Sequence, residues 1–123
     1  SMSTLTVTNI QATGETASRA TEGVAAASVS MNETTVAING SFNTSSLTDL
    51  GTGNFQPNWT NNMGNVNYAV SGIGGSNATA NPGPMYAQDT LPNVGYFKFF
   101  NKQNAGAVVD MHYVGLSVHG DLA

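Results

Sequence analysis

Hydrophobic residues recur with a period of two through much of this chain and hold a helical period over three turns nowhere. Thr4 to Ile10 is rich in β-branched residues with Leu5 and Val7 on one face, which predicts a strand. Val24 to Ser30 is alanine-rich and fits helix or strand. Thr34 to Ile38 sets Val36 and Ile38 against outward threonine and alanine. It then meets Asn39-Gly40, the dipeptide that most strongly predicts a two-residue hairpin. Asn43 to Gly53 is built from turn formers. Phe55, Pro57 and Trp59 fall at i, i+2 and i+4 on one strand face, and Pro57, which has no N–H for a ladder, predicts an edge or a bulge there.

Val66, Tyr68 and Val70 alternate in turn, and Ser71 to Pro84, glycine-rich and without periodicity, reads as the longest loop. Met85 to Gln88 is a short candidate strand, and Leu91 to Asn93 a turn. Val94 to Phe100 carries Tyr96, Phe97, Phe99 and Phe100 on both faces, as a strand does between two layers or at a subunit interface. Asn101 to Gly106 reads as a turn. Ala107 to His119 reads as a long last strand whose apolar set changes face near Gly115, predicting a β-bulge. Together these describe an all-β, antiparallel β-sandwich or jelly-roll-like head over residues 24–123. Residues 1–23, polar after the first strand, form an extended arm, with Ser1-Met2 as a cloning remnant.

Composition narrows the function. Only ten side chains are charged, for a formal net charge of −4. Three scattered cations, Arg19, Lys98 and Lys102, do not make the basic cluster that nucleic acid or an anionic membrane requires. Such low charge also predicts that binding to any partner is insensitive to ionic strength. The absence of cysteine removes a disulfide scaffold and a thiolate zinc site, which suits assembly in a reducing compartment. No apolar run approaches the ~20 residues of a membrane helix, so no membrane insertion is expected. Few large aliphatic residues make a thin core, and association into a cyclic homo-oligomer would bury more surface.

Candidate chemistry is sparse. Asp110 and His112 alternate on the expected last strand, with His119 near its end; they are either a symmetry-completed metal site or a hydrogen-bonded surface pair. Strand period turns Ser117 away from His112 and Asp110, which argues against a nucleophilic triad, and no two of the seven acids form a glycosidase-like motif. The expectation is a protein without catalysis or cofactor. Sugar recognition uses aromatic faces with amide or carboxylate rims. Trp59 with Asn61 and Asn62 fits that pattern. So does Tyr86 with Asn77, Asn81, Gln88 and Asp89 in and beside the long loop. Each aromatic is also readable as core, Trp59 the more so as the lone tryptophan of a small β-domain.

Ser41 to Val70 carries a resemblance. Ser41-Phe42-Asn43, Ser45-Ser46-Leu47-Thr48-Asp49, Gly51-Thr52-Gly53, the aromatic alternation from Phe55 to Trp59, Met63, and Asn67-Tyr68-Ala69-Val70 follow one another in the order and spacing of a bacteriophage tail-fibre or tail-tip C-terminal domain. The arm from Thr4 also resembles that family's shaft-to-head junction, and the likeness weakens after Ser71. Relatives carry a tryptophan where this chain has Ala27-Ser28-Val29. The resemblance implies strand for Val24 to Ser30 and a homotrimeric virion adhesin, joined to its fibre through the arm. Such an adhesin binds a bacterial saccharide or outer-membrane protein, through Ser71 to Met85 chiefly and Asn61 to Asn65 next. A purely structural virion part and a capsule depolymerase fragment are the alternatives.

Overall fold

A computed structural model describes residues 3–11, 13–75, 82–88, 92–103 and 106–123. Near the N-terminus, β1 (Asn9–Ile10) and β2 (Arg19–Ala20) form a small antiparallel pair, followed by a 3-10 turn at Thr21–Gly23. Eight strands follow: β3 (Ala27–Asn32), β4 (Ala37–Phe42), β5 (Thr44–Gly51), β6 (Asn54–Trp59), β7 (Ala69–Gly75), β8 (Pro82–Ala87), β9 (Phe99–Gln103) and β10 (Tyr113–His119). They make two four-stranded antiparallel sheets, ordered β4-β3-β10-β7 and β5-β6-β9-β8. The protein is thus an all-β sandwich.

Period-two burial builds the core. β3 turns Ala27, Val29 and Met31 inward, β10 turns Val114, Leu116 and Val118 inward, and β6 contributes Phe55, Pro57 and Trp59. Phe97, Phe99, Met63, Tyr68 and Met111 fill the remainder. At ~1.5–3 kcal/mol for each large side chain taken from water, these contacts are the main favourable term.

Several expected boundaries move, each for a local reason. The first hairpin turns at Glu33–Val36, not at Asn39-Gly40. Asn32 Oδ1 accepts the Thr34 N–H at 2.9 Å and the Thr34 hydroxyl at 2.6 Å, and Val36 adopts a φ of 52°. Asn39 is the extra residue of a bulge, since Ser30 pairs with Gly40 and Met31 with Ile38. Asn43 to Gly53 holds the eight-residue strand β5, because its alternating Thr and Ser pair with β6 across a solvent-facing edge.

Pro57 lies in an interior strand, but at a gap in the ladder: β6 pairs directly with β9 only at Asn54 and Phe55. The Phe97 N–H still donates to the Pro57 carbonyl at 3.2 Å, so Pro57 leaves only the reciprocal bond unmade, in the gap between the Phe55–Phe99 and Asn58–Tyr96 pairs. β10 runs in register against both neighbours, with no bulge at Gly115. The change of face falls at His112–Tyr113, just before the strand. Gly115 instead lies beneath the Tyr113 side chain, whose hydroxyl would stand 2.3 Å from a Cβ placed there.

Of the expected strand at Thr4 to Ile10, only the last two residues pair. The expected loop from Ser71 instead begins with β7 through Gly75, and β8 starts at Pro82. Val94 to Lys98 approaches β9 through isolated bridges of Tyr96 to Asn58 and Asn93, and the strand itself begins at Phe99. Asn101, Lys102 and Gln103 belong to that strand rather than to a turn.

Candidate functional site

Alternation through β9 and the extended residues 96–98 that lead into it gives the two faces different characters. Phe97, Phe99 and Asn101 are buried, while Tyr96, Lys98, Phe100 and Lys102 point to the outer face of the second sheet. β8 is registered so that Tyr86 sits opposite Phe100, and the Gln88 N–H donates to the Lys98 carbonyl at 3.0 Å. The Tyr86 and Phe100 rings stack with centroids 5.3 Å apart at 28°. The Lys102 ammonium stands 5.4 Å from the Tyr86 ring and 5.6 Å from that of Phe100. One turn of the pleat away, the Lys98 ammonium lies 5.5 Å from the Tyr96 ring.

An amide rim borders these rings. Gln88 Nε2 donates to the Phe99 carbonyl at 3.1 Å and reaches Asn54 Oδ1 at 3.4 Å. On β6, Gln56 Nε2 donates to Asn58 Oδ1 at 2.7 Å, and Asn58 Nδ2 donates to the hydroxyls of Ser46 and Thr48 at 3.1 and 3.0 Å. A shallow hollow of about 410 Å³ opens among Asn54, Gln88, Phe100, Lys102 and Val108. Stacked rings, hydrogen-bonded amides and ammoniums on one sheet face suit a polar ligand with an apolar face.

The candidates read from sequence separate. Tyr86, 44% exposed, and Gln88 both belong to this face. Trp59 is core, 5% exposed, with its ring edge-on to Tyr68 and Nε1 3.4 Å from the Tyr68 hydroxyl, so it offers no face for stacking. Asn61 and Asn62 are exposed at the Trp59 end of β6, where Asn61 pairs with Asn43 through N–H to Oδ1 at 2.7 Å. The length of β6, roughly 15–20 Å, parts them from Gln88. Asn77, Asn81 and Asp89 lie outside the described residues. Asp110 and His112 precede β10 instead of alternating along it. Asp110 accepts the Gly53 N–H at 2.6 Å, and His112 is exposed. Among the described residues, no three His, Cys, Asp or Glu side chains gather, and Asp110, His112 and His119 do not form such a group.

Inside the sandwich, Glu33 is 1% exposed. Its carboxylate takes the Met111 N–H at 2.8 Å and the Asn101 amide at 2.5 Å. Burial pushes its pKa up from 4.5 to about 7, against the opposing pull of those two donors. Between those values the folded chain holds a proton that the unfolded chain has released. The stability this confers is complete below about 4.5 and is lost as pH rises through about 7. The melting temperature is therefore expected to fall by roughly 5 °C between pH 5 and pH 8. Glu33→Gln, which cannot ionise, should flatten that slope in scanning calorimetry, and an unchanged slope would remove Glu33 as its source.

The fold and this face define an all-β, two-sheet protein with an aromatic and amide-lined outer surface. Comparison with protein-family profiles, with curated proteins and with solved structures finds no match to the chain. The sequence offers one signal for the residues first overlooked: Tyr96, Lys98, Phe100 and Lys102 alternate strictly. Nothing in it marks Glu33, which sits in a polar Asn-Glu-Thr-Thr run.

Proposed function

We propose that this chain is the head of a phage tail-fibre or tail-tip protein that attaches, without catalysis, to a saccharide or outer-membrane protein on the bacterial surface. The observation that carries the reading is the stacked Tyr86–Phe100 platform, rimmed by Gln88, Asn54 and Lys102, on the outer face of the second sheet. The resemblance over Ser41–Val70 supports the viral setting. Phe42, Ile73 and Tyr113, exposed on the outer face of the first sheet, favour self-association as a trimer through that face. Three copies engaging together would raise avidity by ~10² to 10⁴ over one weak site.

Labelled protein should bind susceptible cells and block phage adsorption, with a solution mass of three 12.7 kDa chains. Tyr86→Ala, at an exposed position, should keep the melting temperature and weaken cell binding about tenfold. Equal binding by wild type and variant would remove this face as the contact. A monomer in solution would remove the trimer.

A further inference from the structure

We infer that the outer face of the second sheet takes an anionic saccharide, whose ring faces stack on the aromatic row of β8 and β9 while its carboxylates pair with Lys98 and Lys102. This deepens the attachment reading and rests on it. Only three cations occur in a chain of net charge −4, and two of them stand on this one face. Both lie over rings: Lys98 over Tyr96, and Lys102 over Tyr86 and Phe100. The expectation of attachment indifferent to salt holds for the chain's average charge but not for this concentration of it.

Chemistry favours a sugar acid over the other anions. Two lysines are too few to neutralise a nucleic-acid backbone. An acidic protein loop would want deep apolar pockets for anchoring side chains, whereas this face is shallow. A pyranose has an apolar face for a ring, hydroxyls for the amides of Gln88, Asn54 and Gln56, and, in an acidic sugar, a carboxylate for an ammonium. Residues 98 and 102 are separated by about 13 Å along the strand. Each lysine therefore has its own ring partner and its own ligand charge. The face is thus two similar ring-and-ammonium units in line, which fits a polymer with a recurring acidic residue. Lysine's flexible stem lets the ammonium leave the ring face and meet the carboxylate as the sugar stacks.

The test titrates the full chain with polygalacturonate, alginate and polysialic acid. Fully methyl-esterified polygalacturonate and dextran serve as uncharged probes, and dextran sulfate as a generic polyanion. At least one acidic sugar polymer should bind, weakening several-fold between 50 and 300 mM salt. The esterified and neutral polymers should bind at least about tenfold more weakly, and so should the Lys98→Gln/Lys102→Gln variant toward the acidic polymer. That variant should keep the wild-type melting temperature, because both side chains are surface groups. Failure of all three acidic polymers, equal binding of the esterified probe, or unaltered binding by the variant overturns the inference. Dextran sulfate binding as tightly as the best sugar acid overturns it too, by reducing the site to bare charge. If wild type and the lysine variant bind host cells equally and without salt dependence, attachment stands and the anionic ligand falls. If acidic polymers bind but phage adsorption is never blocked, the ligand stands and the adhesin reading falls. Host cells treated with protease, or stripped of surface polysaccharide, give the last arm: binding abolished by protease and untouched by polysaccharide removal overturns the sugar in favour of a protein loop.

Discussion

Phe99→Ala is expected to cost about 3–5 kcal/mol of folding stability, read as a shift of the urea midpoint. The ring is fully buried in the centre of the sandwich, stacked 6.4 Å from Phe97 and paired across the ladder with Phe55. Its removal leaves a hollow bounded by two sheets whose backbones are fixed by hydrogen bonds and cannot close on it. Since small domains have only ~5–15 kcal/mol in total, that loss removes most of the stability of a domain at the low end of the range. Phe100→Ala, one residue along but facing out, should cost far less. If the two variants lose equal stability, the assignment of faces on β9 is wrong.

Gly53→Ala is expected to be nearly as damaging, at roughly 3 kcal/mol, by a different route. Gly53 has a φ of 68° and closes the turn between β5 and β6 against residues 108–110. A Cβ there would come within 2.5 Å of Val108 Cγ1 and 2.6 Å of the Val109 carbonyl. Backbone cannot yield as a long side chain does. The displacement would also loosen the Gly53 N–H to Asp110 bond and the Asn101 N–H to Gly53 carbonyl bond, at 2.6 and 2.9 Å. Gly14 is the control, with a φ of 92° but nothing near its Cβ position; its alanine variant should lose only about 1 kcal/mol. Thermal melts of the two variants side by side decide the matter.

The sandwich was legible because inward residues of β6 and β10 repeat every second position, and periodicity is what burial against a second sheet imposes, whereas the alanine-rich run of β3 fits helix as well as strand. Turns were less legible. Asn39-Gly40 has the composition of a hairpin, yet Asn32 captures the chain earlier with its own side chain, and the dipeptide is absorbed into β4 as a bulge. β5 was hidden because an edge strand with one solvent face can be built from Ser, Thr and Asp, which local propensity assigns to turns.

On the site, Tyr86 and Gln88 were readable as exposed ligand groups, but their partners came from a strand taken as apolar on both sides. Phe100 looks like core in one dimension. Only registry against Tyr86 shows that its ring lies outside. Trp59 illustrates the converse, since a lone tryptophan beside asparagines is compatible with either fate until β6 is seen to turn it inward. Glu33 was invisible because burial of a carboxylate depends on Asn101 and Met111, 68 and 78 residues away.

The two-faced character of β9 has an evolutionary consequence. Phe97, Phe99 and Asn101 answer to folding, and the residues between them answer to whatever the outer face meets. Substitutions at positions 96, 98, 100 and 102 can therefore accumulate with little loss of stability. On the attachment reading proposed above, that strand is a ruler on which alternate marks are free to be rewritten.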